Sequence, residues 1–291
     1  MLKDKIEPFY NKNYKLLMLI PIIILIISMV YLGFFYTKNG DFIHKDISLS
    51  GGITATVYTD KEINLEDLSA KLNGADVRRL TELTSGKQLG FIIDTASTDD
   101  KKLKTDIENY LGIKLEDNNY SVEQTSPSLG SSFYQELIYT LLFSFIFMAI
   151  VVFVTFRSIA PSLAVIFAAF TDVVVALAFV DLIGMKISAA GIVGFLLVIG
   201  YSIDTDMLLT TRAIKRTEGN LFERMFSSVV TGLTMLATTV MALTIGTIFT
   251  TSPVLKEIFI IILAALVMDV FSTYLTNSGI LKWWCDKKGI K

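Results

Sequence analysis

Six stretches of roughly 20 residues run almost without charge along this chain, and nothing else in the sequence constrains the fold so tightly. The first, Leu16 to Phe35, carries no charged residue at all. A helix of that length rises about 30 Å at about 1.5 Å per residue, the thickness of a bilayer's hydrocarbon core. Five more are predicted at Leu137–Phe156, Pro161–Ile183, Ser188–Thr211, Ser227–Phe249 and Leu255–Thr276. Inside lipid, only an element that satisfies its own backbone polar groups can span, so these runs predict six transmembrane α-helices. The first run exceeds the roughly 7–15 apolar residues of a removable leader, and no small-residue cleavage site follows it. With 52% hydrophobic residues among 291 and a mean hydropathy of +0.57, the chain is predicted to be a polytopic membrane protein.

Six spans place both termini on one side. Lys3, Lys5, Lys12 and Lys15, then Arg157, then Arg212, Lys215, Arg216 and Arg224, then Lys282, Lys287, Lys288 and Lys291 all fall on that side. The short loops opposite carry little beyond Lys186 and Lys256. The positive-inside rule makes the lysine-rich side cytoplasmic in a cell-membrane protein. The predicted division is a cytoplasmic N-terminus at 1–15, a first span at 16–36, an extracytoplasmic domain at 37–132, five further spans at 133–277 and a cytoplasmic tail at 278–291. Trp283 and Trp284 follow the last span directly, where indoles favour the lipid–water boundary.

The polar stretch 37–132 reads as a small α+β domain. Ile53 to Tyr58 alternates as a strand, and Asn64 caps a helix with Glu66 and Asp67 in its first turn. Val77–Thr84 and Gln88–Asp94 form a hairpin about Ser85-Gly86-Lys87, Asp99–Tyr110 is helical, and Tyr120–Gln124 closes as a strand. The order βαββαβ predicts a ferredoxin-like fold, a four-stranded antiparallel sheet with both helices on one face. The domain holds no Ser/His/Asp set and no paired carboxylates in an apolar setting, so it is read as a contact surface and the chain as no enzyme.

Twenty-six Lys and Arg against 28 Asp and Glu give a net charge of -2, which recruits no nucleic acid. One cysteine, Cys285, excludes an internal disulfide, and one histidine, His44, leaves no His/Cys cluster for zinc, haem or iron–sulfur. No cofactor and no resident metal are expected.

What the apolar runs do contain is acid. Gly200-Tyr201-Ser202-Ile203-Asp204-Thr205-Asp206 places two carboxylates inside the fourth run, where an unpaired Asp costs about 3 kcal/mol. Asp172 lies mid-way along the third run, and Asp269 in the sixth lies at about the depth of Asp204. Three spans bringing acid to the membrane interior point to one shared polar site centred on Asp204 and Asp206. The alternative for each carboxylate is structural, pinning a neighbouring helix through a hydroxyl or backbone group. Asp181, near the outer end of its span, is read that way. Ser227, Thr231, Thr234 and Thr238 recur at spacings of four, three and four, which puts a hydroxyl stripe, or a small-residue packing seam, on the fifth span. Gly191, Gly194 and Gly200 allow close approach to the fourth. Arg212, two turns beyond Asp204, is read as a boundary anchor. Burial favours the protonated form of a carboxylate, and a second carboxylate nearby adds to this, so a proton relay through Asp204 and Asp206 is physically available. A charge crossing 100 mV is worth about 2.3 kcal/mol, enough to bias a helix rearrangement.

These residues resemble the SecD/SecF family of protein-export membrane proteins, within the RND superfamily of proton-driven transporters. The six spans, the large domain between the first two and Gly200-Tyr201-Ser202-Ile203-Asp204-Thr205-Asp206 carry the resemblance, the last being similar to the family's G-Y-S-x-N-D. Ile47-Ser48-Leu49-Ser50-Gly51-Gly52-Ile53 resembles its G-x-D-F-x-G-G lead-in, with Gly51 and Gly52 as the motif glycines. Aligned without a gap, the family's Asn falls on Asp204 and its proton-linked Asp on Thr205, so the acidic role passes to Asp204, Asp206 or both. The family's arginine early in the fifth span has Arg224 as its nearest match, slightly off register. The Asp-Thr-Asp form followed by Met207-Leu208-Leu209-Thr210-Thr211-Arg212 is similar to archaeal members.

The resemblance implies an RND half-transporter-like subunit. It would form a stable complex with SecD, associate with the Sec translocon channel, contact membrane lipid and the exported polypeptide, and assist late export steps. The competing readings are an RND-type exporter of small molecules or lipids, and a translocon scaffold without a motor.

Overall fold

The computed structural model describes residues 2–81, 87–250 and 252–290. A long helix, α1 (Leu2–Asn39), leads through the single turn α2 (Ile47–Ser50) into β1 (Gly52–Tyr58), α3 (Leu65–Lys71), β2 (Asp76–Thr81), β3 (Gln88–Thr95), α4 (Asp100–Leu111) and β4 (Tyr120–Thr125). Then come α5 (Pro127–Phe156), α6 (Ile159–Leu182), α7 (Ala189–Lys215) and α8 (Leu221–Phe249). The last span is α9 (Pro253–Phe271), continued through a π-helical turn (Ser272–Asn277) into α10 (Ser278–Lys288). Among the described residues six helices are long and apolar enough to cross a membrane: α1, α5, α6, α7, α8 and the continuous α9–α10.

Local chemistry starts these helices where polar residues interrupt the apolar pattern. Ser126, Ser188 and Ser252 each accept a backbone N–H of the first turn that follows, from Leu129, Gly191 and Leu255. Pro127 and Pro253 occupy first-turn positions that need no N–H. Asn220 and Glu223 form a reciprocal capping box at the head of α8. The helices overrun the apolar stretches: α1 has 38 residues around a charge-free run of about 20. Backbone hydrogen bonding continues past the point where side chains become polar.

The bundle is built on α6, α7 and α9. Ala176 and Val180 of α6, Ile192, Phe195 and Val198 of α7, and Ile261, Ala265 and Leu266 of α9 form its core at the end nearer the domain. Half of the most apolar window in α6 and in α7 is buried, against 6% in α8, so α8 lies at the periphery with most of its surface unpartnered.

The domain is a four-stranded antiparallel sheet in the order β2-β3-β1-β4, with α3 and α4 covering one face. Strand alternation sends Ile53, Ala55, Val57, Phe91 and Ile93 to those helices, where Leu68, Leu103 and Ile107 meet them. The opposite face carries Thr54, Thr56, Arg78, Ile92, Asp94 and Glu123 and looks toward the ends of α7 and α9. The predicted hairpin is present as β2 and β3, with a register shift at Leu80/Thr81. Residues 82–84 of its expected first strand and Ser85 and Gly86 of its expected turn lie outside the described residues.

The motif glycines sit where the domain joins the bundle. Gly51 has φ of +81°, and a Cβ there would lie 2.5 Å from Pro127 Cα at the head of α5. Gly52 has φ of +141°, and its Cβ would lie 2.3 Å from the Thr95 carbonyl oxygen. Only a residue without a side chain fits either position. A bridge between Lys45 and Ile187 and an ion pair from Lys186 Nζ to Asp76 Oδ2 at 2.6 Å tie the domain to the α6–α7 connection.

Candidate intramembrane polar site

Every third or fourth residue of α7 turns inward: Ser202, Thr205, Asp206, Leu209, Thr210 and Ala213 are all buried. This stripe brings Asp206, fully buried, against Asp269 of α9 and Asp172 of α6, which are 1% and 0% exposed. The three carboxylates are knitted together by hydroxyls. Ser202 Oγ donates to Asp172 Oδ2 at 2.6 Å, and Ser272 Oγ donates to Asp172 Oδ1 at 2.6 Å. Thr205 Oγ1 lies 3.0 and 2.9 Å from the two Asp269 oxygens. Thr273 Oγ1 is 2.9 Å from Asp206 Oδ1 and 2.9 Å from Asp269 Oδ1, so one hydroxyl bridges the two acids. Asn277 Nδ2 donates to Asp206 Oδ1 at 2.7 Å.

The π-helical turn makes this possible. Its widened winding inserts an extra residue into the ladder and turns Ser272, Thr273 and Asn277 all toward the acids. Among the described residues no lysine or arginine is a hydrogen-bond partner of the three carboxylates, and Asp206 Oδ2 and Asn277 Oδ1 are buried without a donor. Among the described residues no group of three or more His, Cys, Asp or Glu side chains is arranged to hold a metal ion.

The structure divides the expected Asp204/Asp206 centre. Two residues on a helix stand about 200° apart around its axis, so the two acids face opposite ways. Asp206 enters the core, and Asp204 is exposed on the outer side of α7. The hydroxyl stripe of α8 also differs from expectation. Thr234 and Thr238 are exposed and donate to the Val230 and Met235 carbonyls of their own helix, away from the acids. Thr231 and Ser227 instead hold Arg212, whose Nη1 lies 2.9 and 2.8 Å from their hydroxyls, so this arginine ties α7 to α8. Arg224 is buried and donates to the Arg216 carbonyl. Gly200 has no atom of another element near its would-be Cβ, whereas Gly191 and Gly194 face Glu257, Ile258 and Ile261 of α9. The glycine edge of α7 therefore serves α9. Asp181 is 2% exposed and lies 3.7 Å from His44 at the domain end of the bundle.

Ser202, Ser272, Thr273 and Asn277 are the site residues the sequence reading missed. Their signal was present: Ser272-Thr273, then Thr276-Asn277-Ser278, is a dense polar patch at the end of an otherwise apolar run. Glu257 was also overlooked. It accepts from Ser188 N at 2.7 Å and Ser188 Oγ at 2.8 Å, closing the head of α7 from α9.

The family model described as "Protein export membrane protein SecD/SecF, C-terminal" matches residues 107–287. The protein-export membrane protein SecF of Methanocaldococcus jannaschii is 35% identical over 279 residues, covering 94% of this chain and 96% of the relative. The chain belongs to the SecD/SecF family. SecF of Thermococcus gammatolerans is 32% identical, covering 92% of this chain and 84% of that one. Among solved structures, SecDF from Thermus thermophilus, a translocon-associated membrane protein, overlays with a TM-score of 0.71 at 16% identity. That overlay covers 94% of this chain and 38% of the Thermus chain, so the bundle-plus-domain arrangement is the SecDF fold. Membership makes this chain a multi-pass protein-export membrane protein, in a family of export components and not of enzymes.

Proposed function

We propose that the chain is a SecF-type subunit that works with SecD beside the Sec translocon channel, and that proton movement through its buried carboxylates drives late steps of polypeptide export. Both termini are cytoplasmic and the α+β domain lies outside. The observation that carries the reading is the enclosure of Asp172, Asp206 and Asp269 in one site on three helices, with hydroxyl and amide partners and no counter-cation among those partners. Three acids in one buried site repel one another, and burying a charge unpaired is costly. Each proton gained or lost changes how many donors the cluster needs, and so which packing of α6, α7 and the π-helical turn is favoured. Within this cluster Asp206 Oδ2 and Asn277 Oδ1 are left without a donor, and a proton at Asp206 supplies one. Asp206 is thus the primary titrating group, with Asp269 coupled to it through Thr273.

Asp204 supports the two-subunit reading. A carboxylate on the lipid-facing side of a span needs a donor from elsewhere, and the exposed hydroxyls of Thr234 and Thr238 lie on the neighbouring α8. Between Leu16 and Phe35 the exposed side chains of α1 are all apolar and offer nothing comparable to a companion chain. Because this chain accounts for 38% of the SecDF chain it overlays, a second half is accommodated in that architecture.

A static role fits one member of the cluster. Both oxygens of Asp172 already accept from serines, which favours Asp172 as a pin between α6, α7 and the π-helical turn. The decisive experiment is export of a secreted protein in vesicles with and without an imposed proton gradient. Asp206→Asn is expected to abolish the gradient's stimulation, with Asp172→Asn weakening the bundle in detergent. Unchanged gradient dependence in Asp206→Asn would leave only a scaffold.

A further inference from the structure

Between the helix-free face of the sheet and the ends of α7 and α9 lies a cleft of about 640 Å³. The strand register lays Glu123, Thr54, Asp94 and Asp76 side by side in one row across all four strands. Asp94 and Asp76 are directly opposite each other, an arrangement that destabilises a sheet, so the sheet's own stability does not account for it. Each of these two has a cation: Arg78 donates to Asp94, and Lys186 reaches across from the bundle to Asp76. Asp46 and Glu123 also line the cleft, and among the described residues neither makes an ion pair. In all, five carboxylates face three cations there. Burial first, and then the charge of Asp94, hold the Asp46 carboxyl above the ordinary carboxylate range, as expected where negative charge is under-compensated.

We propose that this cleft holds a basic, extended segment of polypeptide, laid across the strands between the sheet and the bundle. Four strands about 4.8 Å apart make a row about 15 Å wide, the reach of four to five extended residues at about 3.3 Å each. Thr56 offers a hydroxyl to a backbone, Thr54 Oγ1 donates to Asp94 Oδ1 and can still accept, Ile92, Met185 and Val254 give an apolar wall, and Asp46 and Glu123 supply charge for Lys or Arg. Two-signed, mixed walls of this kind suit many sequences, whereas a wholly apolar groove would select one amphipathic helix. The proposal rests on the export reading and names the surface where the exported chain is held.

The test uses the full chain in export-competent vesicles with a secreted protein arrested midway. A photoreactive residue is placed at Thr56, inside the cleft, or at Lys101, on the exposed side of α4. Crosslinking from Thr56 to a Lys-rich segment is expected to exceed that from Lys101 by about fivefold. It should fall severalfold when the segment's lysines become glutamines, or in the isosteric pair Asp46→Asn, Glu123→Gln. Equal yields from both positions, or yields indifferent to the segment's charge, overturn the proposal. Loss of crosslinking on adding magnesium, with the segment's charge irrelevant, would assign the cleft to an inorganic cation and also overturn it. Export is read in the same vesicles. Intact export without Thr56 crosslinks removes the cleft and spares the export reading, whereas export indifferent to the chain's presence removes both.

Discussion

The domain and the bundle are built inside out with respect to each other. In the domain, Ile53, Ala55, Val57, Phe91 and Ile93 are fully buried, and the described charged side chains, Asp94 apart, are at least partly exposed. In the bundle, Phe143, Phe147 and Val151 are 57%, 65% and 60% exposed, while Asp172, Asp206, Thr273 and Asn277 are fully buried. In water, removing apolar surface supplies the driving force, at about 25 cal/mol per Å². In lipid, tails are as apolar as leucine, so helices gain nothing by hiding it and must be told apart by small residues and hydrogen bonds. One chain therefore uses apolar packing to stabilise one half and polar packing to specify the other.

The largest effect that tests this contrast is Phe91→Ala. Emptying that site in the domain core is expected to cost about 3–5 kcal/mol. Amide exchange on the full chain should show β1, β3 and α4 deprotected while α6, α7 and α9 keep their protection. Equal loss in both regions would mean the halves unfold as one unit. Next comes Thr205→Val, which keeps the shape but deprives Asp269 of one of its two hydroxyl partners, at about 1–3 kcal/mol. Thermal unfolding in mild detergent reads it, and an unchanged midpoint would show the polar core to be dispensable for packing.

A smaller effect concerns the junction between the halves. The folded-state value of Asp46 is raised above its ordinary 3.8, so its contribution to stability is fully present below that value and is lost as pH rises through the raised one. Domain stability, followed by exchange in the full chain, should decline through that acidic window, and Asp46→Asn should flatten the decline. Smallest of all is Phe147→Ala. It removes a ring as large as that of Phe91 from the lipid-facing side of α5 and is expected to stay within about 0.5 kcal/mol. A cost near that of Phe91→Ala would dissolve the contrast between the two regions.

How far the sequence could be read follows the same division. The alternation in Ile53–Tyr58 and the cap at Asn64 report on neighbours along the chain, and both are visible without tertiary information. Acid in three apolar runs was legible too, because any carboxylate there stands out. The partner of each acid was not. Asp204 and Asp206 look equivalent in one dimension and differ only by azimuth. Thr234 and Thr238 share a stripe that points away from the acids, because α8 packs at the edge of the bundle. Asn277 joins the cluster through a π-helical turn, for which no single residue is diagnostic.

By itself the amino-acid sequence determined the number of spans and their places along the chain, the order of strands and helices in the domain, and the presence of acid within the apolar runs. Those properties depend on local periodicity and on the cost of placing charge in hydrocarbon. Only the tertiary structure decided that Asp206, Asp172 and Asp269 meet while Asp204 faces outward, and that the open side of the sheet overhangs α7 and α9. Such outcomes depend on how each helix is rotated against its neighbours, a quantity set by the joint packing of α6, α7 and α9 that no one segment encodes.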